Sequence, residues 1–201
     1  MIRSYFIRRN FIFVLSLFFS LNIHAQKGSS QFSFFGGYEH FPELWEGKGY
    51  NVGVEFKHYL NNRIYALANF HAGVNGGYKN TRYVRNDVSY SFDLANTVHD
   101  YMLGFGLGGD LLQKSRHKIY VQGTVGIGTS EQSKDGIVTS LFGDYDMVKS
   151  FEEKSTRFAI SASAGYDYQL TKCLSIGVCY TGWQIGYEYK NSANVKLGVT
   201  F

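Results

Sequence analysis

Val195, Leu197, Val199 and Phe201 alternate with Asn194, Lys196, Gly198 and Thr200 at the end of the chain. An extended strand sends successive side chains to opposite faces, so this segment has one apolar face and one small or polar face. A chain terminus packed as a soluble strand rarely leaves such a face uncovered. A strand that meets lipid on one side and a polar lumen on the other has this composition.

The same alternation recurs, and eight segments are predicted. The first, at about 31–38, carries Phe32, Phe34 and Tyr38 on one parity. The second, at about 50–58, sets Tyr50, Val52, Val54 and Phe56 against Asn51, Gly53, Glu55 and Lys57. The third, at about 64–74, sets Ile64, Ala66, Ala68, Phe70 and Val74 against Tyr65, Asn69, His71 and Gly73. Tyr101, Leu103, Phe105 and Leu107 mark the outer face of a fourth at about 99–111. Ile119, Val121, Val125 and Ile127 mark a fifth at about 118–128. Phe158, Ile160, Tyr166 and Tyr168 belong to a sixth at about 156–168. Leu174, Ile176, Val178 and Tyr180 belong to a seventh at about 174–184, and the terminal strand is the eighth. Strands of about ten residues match the height of a tilted transmembrane barrel wall.

Links after the second, fourth and sixth segments are short. Those after the first, third and fifth, at about 39–49, 76–98 and 129–155, are long, and the last, at about 185–192, is shorter but polar. Short turns at one end and long loops at the other suit an outer-membrane barrel, and an even strand count leaves both termini at the short-turn end. A soluble lipocalin-like barrel or sandwich also alternates, but it buries its apolar face. Here the glycines, charges and amides share the other face, which would leave such a fold a polar core.

At the opposite end, Arg3, Arg8 and Arg9 precede an apolar run at 11–21, and Ile23-His24-Ala25 offers a small residue before Gln26. The run is too short to span a bilayer as a helix, and a signal peptide over 1–25 with a barrel domain over 26–201 is predicted. The three signal arginines account for three of the +4 formal charges, leaving +1 on the mature chain. No basic patch then argues for nucleic acid. Aromatic residues make up 17% of the chain, which also has 23 glycines and one proline, a composition suited to aromatic girdles and a crowded interior.

On these features the chain resembles the small eight-stranded barrels of the OmpA/OmpX type, particularly the short porin-family β-barrel proteins of Bacteroidetes-like bacteria. Phe201 resembles the terminal signal read by the outer-membrane assembly machinery of Gram-negative bacteria. The resemblance covers the mature chain. It implies an all-β, eight-stranded antiparallel transmembrane up-and-down β-barrel preceded by a signal peptide, in the bacterial outer membrane. External loops would face outside, both termini would be periplasmic, and the bilayer and lipopolysaccharide would surround the wall. Barrel proteins of conjugative elements are a second, weaker resemblance. Neither brings a catalytic motif or a cofactor with it.

Three groups of residues are candidates for function. Glu55, Lys57, His71, Gln122, Asp167, Asn194 and Lys196 fall on the inward parity. Buried charges must pair, and Glu55 with Lys196, shared with Lys57, is the expected pair in a side-chain-filled lumen. Outward aromatics divide by height into a periplasmic girdle of Phe32, Tyr166, Tyr168 and Phe201 and an external one of Tyr38, Tyr50, Tyr101 and Tyr180. Tyrosine-rich, mixed-charge loops suit a protein or glycan ligand, with Tyr78, Arg82 and Tyr90 in one and Asp144, Asp146, Glu152 and Glu153 in another. That acidic set suggests a divalent cation only weakly, and solvated charge is the default, so no metal site is assigned.

Other motifs carry less. Gly104-Phe105-Gly106-Leu107-Gly108-Gly109 matches a dinucleotide fingerprint, but it lies inside a strand with no helix after it. The glycines are expected to make room in the lumen. Cys173 and Cys179 lie on one strand roughly 20 Å apart, too far for a disulfide. A non-enzymatic barrel for surface binding, adhesion or envelope integrity is the leading expectation. A lipid A-modifying enzyme is the alternative: His99 and Asp100, with Ser89 and Ser91 before them, stand at the height it would need, but adjacent strand residues point to opposite faces and make no triad; a narrow transporter is a third.

Overall fold

The computed structural model describes residues 28–85, 87–139 and 146–201. The predicted signal peptide, Asp144 and Tyr145 lie outside the described residues. Eight strands follow in order: β1 Ser30–His40, β2 Trp45–Tyr59, β3 Ile64–Arg85, β4 Val88–Lys114, β5 His117–Thr139, β6 Asp146–Gln169, β7 Leu174–Ile185 and β8 Glu188–Thr200. Each pairs antiparallel with the next, and β1 also pairs with β8, from Gln31↔Thr200 to His40↔Asn191. The result is a closed barrel whose wall satisfies its own backbone hydrogen bonds.

Parity decides what faces where. Phe34, Val52, Phe70, Leu103, Phe105, Ile127, Phe158, Val178, Val195 and Leu197 all lie exposed on the outer wall, and Ile127 and Phe158 are 65% and 66% accessible. The alternate positions, including Asn51, Glu55, Lys57, His71, Asp167, Asn194 and Lys196, are buried in the interior. A wall that is greasy outside and polar inside is the inverse of a soluble barrel and fits lipid.

The upper links differ from the expectation. Residues 76–98 are not an irregular loop: β3 and β4 run on as a paired ribbon from Gly76↔Thr97 to Arg85↔Val88. Likewise β5 and β6 stay paired from Thr129↔Thr156 to Thr139↔Asp146. The link at 185–192 shrinks to a two-residue turn between Ile185 and Glu188. Alternation continues through these stretches, as in Val88, Tyr90, Phe92 and Leu94 against Ser89, Ser91 and Asp93. It escapes notice because the apolar residues have moved to the opposite parity from the wall below.

The remaining upper link, 41–44, folds into the barrel mouth. Leu44 N–H donates to Phe41 C=O and Gly47 N–H to Leu44 C=O, fixing two consecutive tight turns. They bury Phe41 and Leu44 against Val98. The mouth is thereby lidded by side chains.

Candidate functional site: a filled and capped lumen

Below the lid, the lumen is a column of paired charges. Near the mouth, the Lys190 ammonium donates to Asp100, lies 3.8 Å from Glu188 and sits 4.4 Å from the centre of the Phe41 ring. Glu188 also accepts from Ser130 at 2.8 Å and from Gln132 at 2.6 Å. Glu39, from the top of β1, pairs with His71 Nε2 at 2.9 Å and accepts from Asn75. The His71 ring lies against Trp183, with centroids 4.0 Å apart, in an apolar layer with Met102, Ala159 and Ile185.

Deeper lies the group anticipated from the sequence. Glu55 pairs with Lys57 at 3.2 Å and accepts from Gln122. Lys57 also reaches the Tyr65 hydroxyl at 3.3 Å, and its ammonium sits 3.9 Å from the centre of the Tyr120 ring. Lys196 differs from the expected pairing. Its ammonium is 2.9 Å from Asp167 Oδ2 and donates to the Tyr120 hydroxyl at 2.8 Å, while Glu55 stands back at 3.7 Å. Asp167 is therefore the direct partner, and Glu55 belongs first to Lys57. At the lower end Asp110 accepts from Tyr59 at 3.4 Å and lies 4.0 Å from Lys118.

Small residues make this packing possible. A Cβ on Gly108 would overlap the Tyr65 ring, and one on Gly165 would overlap the Tyr120 hydroxyl. Gly108, inside the apparent dinucleotide fingerprint, thus seats a tyrosine. A cavity of about 20 Å³ remains beside Glu55, Asn69, His71, Cys179 and Trp183. That is room for about one water molecule and blocks a solute path. Cys179 lines this cavity, whereas Cys173 sits in a turn at the lower end; both are unbridged.

Asp100, Glu39 and Lys190 were not among the residues expected inside. Glu39 and Lys190 fell in stretches read as loops. Asp100 and His99 point to opposite faces of β4, as adjacent strand residues must, and Asp100 is fully buried in the lumen. Ser91 stands far up the ribbon, donating to Asn80, and Ser89 accepts from Arg82. His99, Asp100 and these serines are not brought together.

The outward aromatics lie as follows. Tyr38, Tyr50, Tyr101 and Tyr180 are exposed on the upper wall, with Tyr38 opposite Tyr50 in register. Lower down, Tyr166 hydrogen-bonds His117 at 2.7 Å, and His117 also packs on Tyr168. Phe32 packs edge-on against Phe34, and Phe201 lies 6.5 Å from Phe56. Phe201 also exchanges two backbone hydrogen bonds with Ser30, so it completes the β1–β8 seam. Above the belt, Lys154 donates to Glu131, and that bond together with the carboxylate's charge holds the Lys154 pKa up. Asp146 belongs to β6, but its side chain lies outside the described set.

No protein-family model and no curated protein matches this chain by sequence. Solved structures do match. The crystal structure of Ail, the attachment invasion locus protein of Yersinia pestis, superposes with a TM-score of 0.53 at 14% identity, over 87% of this chain and 99% of that one. Neisserial surface protein A gives 0.53 at 13% identity, over 89% and 100%. The outer-membrane protein OprG of Pseudomonas aeruginosa gives 0.52 at 10% identity, over 88% and 97%. At such identities the shared property is the architecture: the chain has the closed eight-stranded antiparallel β-barrel fold of these outer-membrane proteins.

Proposed function

We propose that the protein is a non-enzymatic integral barrel of the bacterial outer membrane that acts through its β3–β4 and β5–β6 ribbons, displayed outside the cell. One observation carries this reading. The lumen is filled by paired side chains and capped by Phe41 and Leu44, while the two ribbons stand above an apolar belt. A filled interior has no use for transport, so the work falls to the ribbons. The wall contacts phospholipid and lipopolysaccharide, the assembly machinery reads the terminal strand, and both termini are periplasmic. The ribbon ligand is a surface protein or a glycan. The Ail structure was solved with a heparin analogue, sucrose octasulfate, which makes sulfated glycans a sensible first probe.

An epitope inserted between Arg85 and Val88 tests the orientation. It should be labelled on intact cells, whereas one at Ser115 should need permeabilised cells. The reverse pattern would overturn the topology. Lipid A mass spectra from cells with and without the gene should be identical; a changed acyl pattern would replace this reading with the enzyme.

A further inference from the structure

The lower end of the barrel has an unusual charge distribution. Arg63, Lys114, Arg116 and Lys172 are exposed on the three turns β2–β3, β4–β5 and β6–β7. None of them makes an ion pair among the described residues. The acidic side chains at this end, Asp110 and Asp167, are both buried and committed to Lys118 and Lys196. The end therefore presents cations with no exposed Asp or Glu among them.

Apolar residues accompany these cations. Leu60 stands three residues before Arg63, Leu111 and Leu112 stand just before Lys114, and Leu170 stands two before Lys172; all four leucines are exposed. Two of the turns share one build. Leu60 N–H donates to Ile64 C=O at 2.9 Å, and Leu170 N–H donates to Leu174 C=O at 2.9 Å. Asn61 Oδ1 and Thr171 Oγ1 then accept from the backbone N–H groups that follow. Each turn is thus pinned with its leucine and its cation held outward, so little ordering is lost on contact.

We infer that this end is a docking surface for the anionic phospholipid headgroups of the periplasmic leaflet, with the leucines entering the acyl boundary and the four cations meeting phosphates. The inference rests on the membrane orientation proposed above. The turns follow directly after the lower aromatic cluster of Tyr166, Tyr168 and His117, which puts them at headgroup depth. A basic segment near such a surface is attracted by each cation, and an adjacent apolar side chain adds burial. A carbohydrate or peptide polymer of the cell wall offers the leucines nothing to enter, so a lipid is the better fit.

The test uses the whole barrel in vesicles of phosphatidylcholine with trace spin-labelled lipid. Heat-modifiable gel mobility first establishes insertion; a barrel that inserts in no vesicle overturns the membrane reading and this inference with it. Spin-labelled phosphatidylglycerol should associate with the inserted barrel several-fold more strongly than phosphatidylcholine. The preference should fall to near parity in R63Q/K114Q/R116Q/K172Q, and also for the unaltered chain in 1 M salt, where screening acts within about 3 Å. R63K/R116K should keep it, as should K79Q/R82Q on the upper ribbon. An equal preference in the fourfold variant overturns the assignment, although the barrel still inserts. Charge-dependent retention on purified sacculi without any phosphatidylglycerol preference overturns it too, and makes the wall polymer the partner. If the fourfold variant fails to insert, the salt titration of the unaltered chain decides alone.

Discussion

Lys196 allows a quantitative test of the lumen. Its ammonium is buried, 2.9 Å from Asp167 and 3.7 Å from Glu55. At an effective dielectric constant of about 20, Coulomb attraction separates those two distances by only about 1 kcal/mol. Asp167 is in direct ion-pair contact at 2.9 Å, whereas Glu55 stands back at 3.7 Å, so the shorter contact favours Asp167 by about that amount. Glu55 also keeps Lys57 and Gln122 when Lys196 is removed, whereas Asp167 Oδ1 has no hydrogen-bond partner among the described residues. Lys196→Met should therefore cost about 3–5 kcal/mol, chiefly by stranding Asp167. Asp167→Asn should cost about 3 kcal/mol alone and much less on top of Lys196→Met. The coupling energy between Asp167 and Lys196 should exceed that between Glu55 and Lys196 by about 1 kcal/mol. Urea unfolding in lipid vesicles, followed by the fluorescence of Trp183 against His71, supplies both cycles. Additivity of Asp167→Asn and Lys196→Met within about 0.5 kcal/mol, or a larger coupling to Glu55, would refute the assignment of partners.

Three further outcomes are expected. Folded barrel should shift in gel mobility on boiling in SDS; unchanged mobility with a helical circular dichroism spectrum would contradict the closed sheet. Deleting Phe201 should lower outer-membrane levels far more than Thr200→Ala, because it removes both backbone bonds to Ser30 and the contact with Phe56; normal levels of the truncated chain in membrane fractions would refute this. Phe41→Ala should destabilise the barrel by about 3 kcal/mol yet leave bilayer conductance near background, since Tyr65, Tyr120 and the Lys196 cluster still fill the bore; a large steady conductance in either form would remove the plug.

Strand number, order and wall parity were legible in the sequence because lipid contact imposes strict alternation. Glu55, Lys57, His71, Asp167 and Lys196 could be placed inside for the same reason. Their partners could not be read, because pairing depends on register and on barrel shear. Lys196 sits on β8 and Asp167 on β6, two strands apart, and β7 contributes Gly177 between them, whose missing side chain leaves room for Asp167. That gap belongs to no single strand. Glu39 and Lys190 were hidden for a simpler reason: each lies at the end of a strand where the apolar signal stops, so the alternation appeared to have ended.

The reversal of polarity along β4 explains that loss and marks a boundary. From Leu107 through Phe105 and Leu103 to Tyr101 the outward parity is apolar; from His99 through Thr97, Asp93, Ser91 and Ser89 it is polar or small. The inward parity runs Gly104, Met102, Asp100, Val98 and Asn96 in the lumen and becomes continuously apolar above, from Leu94 through Phe92 and Tyr90 to Val88, and Tyr90 stacks on Phe92. On β5 the outward face changes between Ile127 and Thr129, and on β6 between Phe158 and Thr156. These positions are neighbours in register: Tyr101 pairs with Thr129, and Thr129 pairs with Thr156. Three consecutive crossings on adjacent strands would not align unless one surface imposed them, since each strand enters the ribbon at a different sequence position. On β3 the outward apolar residues climb through Phe70 to Val74 at the same height, Val74 lying opposite His99, but Tyr78 and Val84 keep that parity above it, so β3 does not reverse. The line of crossings on β4, β5 and β6 fits the upper edge of the hydrocarbon layer. Above it, water favours a polar outer face, and on β4 the apolar side chains Val88, Tyr90 and Phe92 take the opposite parity.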